Sequence, residues 1–170
     1  MADDIDDIVI PSLNKYKEFD LKAVNRAGSD EELGVDKKEA EKMADEMLSE
    51  VGLDSSIKNK YPAEISGGQC QRAAIARALL FNPKVIVCDE PVSALDISVQ
   101  AQILNLLREL QRDLNISYIF ISHDIGVVNY MSDTILVMHN GTIVERGPAK
   151  EVLLHPKQDY TKKLIESAFI

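Results

Sequence analysis

Apolar and polar positions from residue 66 onward follow two alternating periods, which predict strands that alternate with helices. Continuous apolar runs predict buried strands at 85–88 and 117–121, and a third strand at 134–138. We expect helices, in chain order, at 66–80, 97–113, 125–131 and 159–169. Asn140-Gly141 predicts a tight hairpin into a further strand at 142–145. This alternation is typical of a layered α/β fold.

The first part of the chain has a different pattern. Residues 1–36 are acidic and irregular, and we expect little order over much of this segment, although Ile8-Val9-Ile10 is compatible with a short strand. Apolar positions at helical spacing predict a helix over 37–51 that ends at Gly52. We therefore divide the chain into an N-terminal segment (1–36), a helical subdomain (37–82) and an α/β core (83–170).

Composition excludes several kinds of partner and compartment. The 170 residues carry a net charge of −9, which argues against DNA or an anionic lipid surface, and the absence of Trp argues against stacking on single strands. No apolar run approaches the roughly 20 residues of a membrane span, and the residues after Met1 lack the order of a signal peptide. Cys70 and Cys88 have no metal-binding spacing, so we expect a reduced, cytoplasmic setting.

The turn Ser66-Gly67-Gly68-Gln69 opens the helix at 66–80. Two glycines let backbone N–H groups approach a ligand, and the helix N-terminus adds a favourable dipole for an anion. A hydroxyl together with such donors is typical of a phosphate site. An ordinary helix cap with a glycine turn explains the same residues equally well.

A second group of polar residues follows the predicted strands. Asp89 and Glu90 end the strand at 85–88, at the sheet edge where α/β folds present functional groups. Asp89 is suited to hold Mg²⁺, and Glu90 to polarise a water for attack on a phosphoryl group. Asp96 is suited to cap the helix at 97–113. His123, after the strand at 117–121, is placed either to donate to a phosphate oxygen or to make a structural hydrogen bond.

These elements, in this order, resemble those of the ATP-binding subunits of ABC transporters over roughly residues 38–168. In that family they are the signature (from Ile65-Ser66-Gly67-Gly68-Gln69), the Walker B strand with its acids (85–90), the D-loop (93–96) and the switch histidine (His123). The tail 155–161 is most similar to the oligopeptide/dipeptide importer branch. The resemblance implies an incomplete P-loop NTPase fold, with a parallel sheet and a helical signature subdomain.

The resemblance also implies roles for single residues in a head-to-tail dimer that sandwiches two ATP molecules. Four residues would touch the γ-phosphate of ATP held by the opposite subunit: Ser66, Gly67, Gly68 and Gln69. On the chain's own ATP, Asp89 would support Mg²⁺, Glu90 would be the catalytic base, and His123 would sense the γ-phosphate. Asp96 would bridge the two sites. The helical subdomain would dock a membrane permease, which would place the assembled protein at the inner face of the cell membrane.

The chain departs from the family at the nucleotide-binding loop. The family's phosphate loop has the form G-x-x-x-x-G-K-[ST], but none of the eight glycines here is followed by Lys. Residues 1–64 contain no Gln to serve as the Q-loop glutamine, and no adenine-stacking aromatic residue can be assigned. Each lost charged hydrogen bond removes on the order of 1.5–3 kcal/mol. We therefore expect the isolated chain to bind ATP very weakly and not to hydrolyse it.

The missing loop also has a consequence for the sheet. In the family the strand before the phosphate loop lies next to the strands predicted here at 117–121 and 134–138. Its absence predicts unpaired strand edges. Ile5–Ile10 inserting there, a second copy of the chain, or exchanged elements would each cover them, and we favour self-association.

Three functions fit these motifs. The first is an ABC-type ATPase subunit, truncated or fragmentary, that energises solute import. The second is a non-catalytic interaction protein that presents the signature face to ATP held by an intact partner subunit. The third, an ATPase of the DNA-repair or ribosome-linked type, is disfavoured because the helix at 97–113 leads into the next strand without a long coiled-coil insertion.

Overall fold

The computed structural model describes the backbone of Ile8–Val9 and residues 37–168. The strands are β1 (Ile8–Val9), β2 (Val85–Asp89), β3 (Ser117–Ile121), β4 (Thr134–His139) and β5 (Thr142–Pro148). The helices are α1 (Lys37–Glu50), α2 (Gly67–Leu79), α3 (Ile97–Leu114), α4 (Ile125–Met131), α5 (Ala149–Leu154) and α6 (Asp159–Ala168). The chain forms two compact units, Met1–Ile119 and Phe120–Ile170, and each is described by itself.

A three-stranded sheet has the order β1-β2-β3, and its strands β1 and β2 lie in the first unit. β1 is parallel to β2, with Ile8 opposite Val85 and Val9 opposite Ile86. The amide of Ser117 donates to the carbonyl oxygen of Lys84 at 2.9 Å, which joins the starts of β3 and β2. Strands alternating with helices around a parallel pair confirm the predicted α/β class.

The predicted short strand near residue 8 is confirmed for Ile8–Val9, and its insertion beyond β3, one of the three ways left open for covering the unpaired edges, is not observed for these two residues. It does not lie beyond β3, in the gap that the missing phosphate-loop strand would leave. It pairs with the opposite edge of β2, so the apolar Walker B strand has a neighbour on each side. A central position satisfies the backbone groups of β2 on both edges, which explains why the segment pairs there. The rest of 1–36, where we expect little order, lies outside the described residues.

Helices α1, α2 and α3 form most of the buried core of the first unit. α1 contacts α2, and α2 contacts α3. The small buried residues Ala40, Ala44, Ala73 and Ala76 allow close approach of α1 and α2. α3 presents a wide apolar stripe of fully or nearly buried residues: Ile103, Leu104, Leu106, Leu107 and Leu110. The bounds of all three helices were predicted to within about two residues, from apolar spacing for α1 and α3 and from the Ser66 cap for α2.

β3 is not the fully buried strand that its apolar sequence predicts. Ile119 and Ile121 are each 48% exposed, and burial alternates along the strand. β3 is the end strand of its three-stranded sheet, and among the described residues one of its faces is not fully covered. A continuous apolar run shows that a strand is suited to burial on both faces, but it does not show which elements cover those faces.

The second unit is a hairpin packed against short helices. β4 and β5 are antiparallel, and the predicted turn at Asn140-Gly141 is confirmed with φ values of 49° and 76°, as a tight hairpin requires. The buried face contains Ile135, Val137, Ala149 and Val152. The helix α5 that supplies the last two residues was not predicted.

Among the described residues, no helix is long and apolar enough to cross a membrane. The division into 1–36, 37–82 and 83–170 stays a prediction.

Candidate functional site

The turn at Ser66 is a reciprocal cap of α2. Ser66 Oγ accepts a hydrogen bond from the Gln69 amide at 3.2 Å, and the Gln69 side-chain oxygen accepts one from the Ser66 amide at 3.0 Å. This capping box fixes the backbone before the helix begins. The predicted cap at Ser66 is confirmed, and it also occupies the side chain of Gln69.

The two signature glycines allow a close approach of α2 to the segment 95–99. A Cβ on Gly68 would lie 2.6 Å from Val99 Cγ1, and one on Gly67 would lie 3.1 Å from Leu95 Cδ2. The first distance is too short for any real Cβ, so Gly68 is required by packing. Sequence reasoning offered the two glycines either a ligand-facing role or a place in an ordinary cap, but not this packing contact, because the pattern does not show which helix lies opposite them.

The groups that remain accessible at this turn suit an anion. Ser66 and Gly67 are exposed, whereas Gly68 is buried. The amides of Gly67 and Gly68 occupy the first two helical positions, where N–H groups have no partner within the helix. The Ser66 hydroxyl accepts through its oxygen, so its hydrogen can still be donated outward. A hydroxyl, helix amides and the positive end of the dipole form a donor set for a phosphate oxygen.

The acids after β2 lie on a tight turn. Asp89 is the last residue of the strand, and Glu90 adopts the left-handed backbone conformation, with a φ of 46°. That conformation costs about 1–2 kcal/mol for a residue with a Cβ. The Glu90 carbonyl oxygen accepts hydrogen bonds from the Ser93 amide (3.4 Å) and the Ser93 hydroxyl (3.2 Å), which hold the turn. Strained backbone of this kind is concentrated at functional sites.

The described residues contain no group of three or more His, Cys, Asp or Glu side chains that could hold a metal by themselves. Magnesium in phosphate-binding proteins is instead held by one or two carboxylates together with substrate phosphates and water. The single carboxylate of Asp89 therefore fits Mg²⁺ only when a nucleotide supplies the remaining ligands.

Asp96 caps α3. Its Oδ1 accepts hydrogen bonds from the Ser98 hydroxyl at 2.8 Å and from the Val99 amide at 3.1 Å. The Ser98 hydroxyl, followed by the Val99 amide, lowers the pKa of this carboxyl below its usual value. Because Leu95 and Val99 also lie against Gly67 and Gly68, the structure brings the D-loop segment and the signature turn together in one unit.

His123 lies in the second unit, on the short connection between β3 and α4. Its neighbours hold the connection: the Asp124 amide donates to the Ser122 hydroxyl oxygen at 3.1 Å, and Asp124 Oδ1 accepts from the Val127 amide at 3.1 Å. The imidazole is exposed. It therefore lies on a turn held by the cap of α4.

Two further positions were not assigned by the sequence. Arg72 Nη1 donates to the carbonyl oxygen of Val51 at 2.7 Å, which ties α2 to the end of α1. Burial raises the pKa of the Cys88 thiol to about 12, so this cysteine is a neutral core residue and not a nucleophile. The bond of Arg72 has no local sequence signal because its partner lies 21 residues earlier, whereas the burial of Cys88 agrees with the apolar strand predicted at 85–88.

Residues 9–93, half of the chain, match the family model described as ABC transporter. The chain belongs to the ABC transporter family. The chain is 51% identical over 133 residues to the oligopeptide transport ATP-binding protein OppF of Lactococcus lactis subsp. lactis (strain IL1403). That match covers 78% of this chain and 42% of the relative, so the chain spans less than half the length of this curated relative. The resemblance to the oligopeptide importer branch is confirmed.

Solved structures agree with this assignment. CbiO1 from Clostridium perfringens, part of the ABC transporter complex cbiONQ, is similar with a TM-score of 0.67 and 33% identity. The match covers 78% of this chain and 51% of that chain. The dimeric post-hydrolysis structure of the ATP-binding cassette MJ0796 bound to ADP and Pi has a TM-score of 0.61 and 30% identity, over 76% of this chain and 56% of that one. The predicted ABC-type fold class is confirmed.

Members of this family use ATP and Mg²⁺, and the residues present fit a nucleotide on one side only. The signature turn offers donors for a phosphate, as described above. The loop that would hold the chain's own nucleotide has no counterpart in the sequence, since no glycine precedes a lysine.

Proposed function

We propose that this chain provides the signature half of a shared ATP site in an ABC ATPase that energises the import of oligopeptides or similar solutes. The observation that carries the proposal is the capped N-terminus of α2, with an exposed Ser66 hydroxyl and the amides of the first helical turn beside it. Ser66, Gly67, Gly68 and Gln69 bind the γ-phosphate of ATP held by an opposite subunit. Identity of 51% to an oligopeptide transport ATP-binding protein supports the solute class.

The acids of this chain have a separate role in a completed site. Asp89 holds Mg²⁺, Glu90 acts as the catalytic base for the attacking water, and His123 contacts the γ-phosphate. These groups act only where a phosphate loop positions the nucleotide. Asp96 links the two sites through the cap that also fixes Val99. The isolated chain binds ATP weakly and does not turn it over.

The partners follow from this half-site. The phosphate-holding surface comes from a second ABC ATPase subunit, and the dimeric form of the similar cassette MJ0796 supports such a pair. The helical part that contains α1 and α2 docks a membrane permease, which places the assembly at the inner face of the cell membrane. The net charge of −9 is consistent with protein partners and not with nucleic acid.

The test is complementation of a subunit that lacks a working signature. A full-length oligopeptide transport ATP-binding subunit, with its own signature serine changed to alanine, is mixed with this chain, and ATP turnover is measured. We expect turnover to rise when the chain is added and to return to background with Ser66→Ala. Ser49→Ala, a serine on the exposed side of α1, is the matched control and keeps the stimulation. Equal turnover with and without the chain would reject the proposal.

A second function has one specific observation in its favour. No glycine of the chain precedes a lysine, which favours a non-catalytic protein that only presents its signature face to an intact partner. The same assay separates the two. A fall in turnover with Glu90→Gln assigns catalysis to this chain's acids, whereas unchanged turnover assigns it the signature role alone.

A further inference from the structure

Val99 contacts both the D-loop carboxylate and the signature turn. Its amide donates to Asp96 Oδ1 at 3.1 Å, so its backbone is fixed by the D-loop carboxylate. Its side chain occupies the space in which Gly68 has no Cβ, with Cγ1 2.6 Å from where that Cβ would lie. One residue therefore connects the cap of α3 to the first turn of α2.

We propose that Val99 is a positioning residue that sets the spacing between the signature turn and the D-loop. The proposal deepens the proposed function and rests on it for its catalytic consequence. Gly68 and Val99 form a size-matched pair, in which a side chain without heavy atoms accommodates a branched one. If the spacing changes, the Ser66 hydroxyl and the first amides of α2 move relative to Asp96.

The stiffness of valine makes this contact a spacer. A β-branched side chain in a helix has one strongly preferred χ1 rotamer, so Cγ1 cannot swing away when something approaches. The neighbouring contact differs. Gly67 faces Leu95 Cδ2, the far end of a flexible side chain, at 3.1 Å, and that methyl can move aside. Of the two glycines, only Gly68 is opposed by a part of the protein that cannot yield easily.

The first experiment measures the pairing in the chain by itself. Hydrogen exchange is followed at the amides of Gln69 and Cys70, which donate to Ser66 Oγ and to the Ser66 carbonyl oxygen. Gly68→Ala overpacks the contact, and we expect exchange to quicken by about tenfold or more. Gly68→Ala with Val99→Ala removes the clash, and exchange returns to within about threefold of the parent chain.

Two controls test whether the effect on exchange is specific to the contact between Gly68 and Val99. Gly67→Ala, opposite the flexible Leu95 methyl, changes exchange by less than about threefold. Val127→Ala, which truncates a buried valine in the second unit, does not rescue Gly68→Ala. If Gly68→Ala fails to fold, the pairing predicts that adding Val99→Ala recovers the folded chain. Unchanged exchange in Gly68→Ala, or a double variant no better than the single one, would overturn the proposal.

The second experiment tests the position of the signature turn and not the stability of the chain. In the complementation assay, Val99→Ala leaves the chain folded but loosens the turn, so maximal turnover falls about fivefold while the apparent KM for ATP changes less than twofold. A merely structural role would reduce the amount of active complex, which titration of the chain corrects. Maximal turnover equal to that of the parent chain would overturn the positioning role. If the parent chain gives no stimulation, the proposed function fails, and the exchange cycle still decides the pairing.

Discussion

The Arg72 side chain donates a hydrogen bond from Nη1 to the backbone carbonyl oxygen of Val51, 21 residues earlier, at 2.7 Å. Val51 directly follows α1, where the last carbonyl groups have no partner within the helix and a cation is favoured by the helix dipole. Gly52 continues the chain with a φ of 70°, as a helix stop requires. Arg72 thus ties the signature helix α2 to the C-terminal end of α1.

We expect Arg72→Ala to destabilise the first unit. The lost bond joins a charged donor to the carbonyl group of a fully buried residue, and bonds of that kind contribute about 1.5–3 kcal/mol to the free energy of unfolding. The measurement is urea unfolding followed by circular dichroism. Lys42→Ala is the control, because its ion pair with Glu46 is exposed on α1 and contributes less than about 0.5 kcal/mol. Equal urea unfolding midpoints for Arg72→Ala and Lys42→Ala would contradict this role of Arg72.

α3 offers a matched pair of substitutions on one helix. Leu107 is 1% exposed and Ile97 is 85% exposed, although both are large and apolar. Leu107→Ala removes a packed side chain and is expected to cost about 2–5 kcal/mol in the free energy of unfolding. Ile97→Ala is expected to change it by less than about 0.5 kcal/mol. The same unfolding experiment measures both, and a large loss from Ile97→Ala would show that α3 buries a different face.

Most elements could be predicted because their signals are local. Ser66 and Asp96 cap helices that begin one residue later, and both caps follow from residue type and the apolar pattern behind them. The exposure of Ile119 and the pairing of Ile8–Val9 with β2 could not be predicted, because both depend on which segments lie beside a strand. The contact of Gly68 with Val99 depends on the crossing of two helices.

The cap of α3 is expected to weaken in acid. Hydrogen bonds from the Ser98 hydroxyl and the Val99 amide lower the pKa of Asp96 in the folded chain. A lowered pKa gives stability that is fully present above the unfolded-state value, about 3.9 for Asp, and that is lost as the pH falls through the folded-state value. Hydrogen exchange at the Val99 amide should therefore quicken, relative to its intrinsic rate, as the pH falls below about 4.

Asp96→Asn is the control for this acid effect, because asparagine keeps a capping oxygen but does not titrate. Its Val99 amide should show protection that is independent of pH over the same range. If the variant and the parent chain show the same pH dependence, another carboxyl controls the cap.

Glu145 is expected to hold α6 in place. Its Oε1 and Oε2 accept hydrogen bonds from the amides of Lys157 (2.9 Å) and Gln158 (3.1 Å), just before the helix begins. The nearby Thr161 hydroxyl, followed by the hydrogen bond from the Lys157 amide, lowers the pKa of this carboxyl. Its contribution is therefore present above about pH 4.3 and is lost as the pH falls through the lowered pKa.

Glu145→Gln removes one of the two acceptors, since an amide side chain has a single oxygen. We expect faster cleavage by a protease between residues 155 and 160 and loss of the stacking between His139 and Tyr160, whose ring centroids lie 3.9 Å apart. Glu151→Gln, an exposed residue of α5, is the control and leaves the cleavage rate unchanged. Cleavage of Glu145→Gln at the rate of the parent chain would contradict this role.

The outer face of the hairpin in the second unit predicts association between copies. Met138 is 63% exposed and pairs across the strands with Ile143, and Leu136 lies two residues before it on the same face. Neighbouring apolar side chains of this kind favour contact with another protein surface. We expect the mass of the chain, measured by light scattering, to rise with concentration.

The double variant Leu136→Thr with Met138→Thr should abolish that rise while its circular dichroism spectrum is kept. Ile135→Thr, on the buried face, should instead lower the unfolding midpoint. A parent chain that is monomeric at every concentration would contradict the prediction, because exposed apolar surface alone would then not drive self-association.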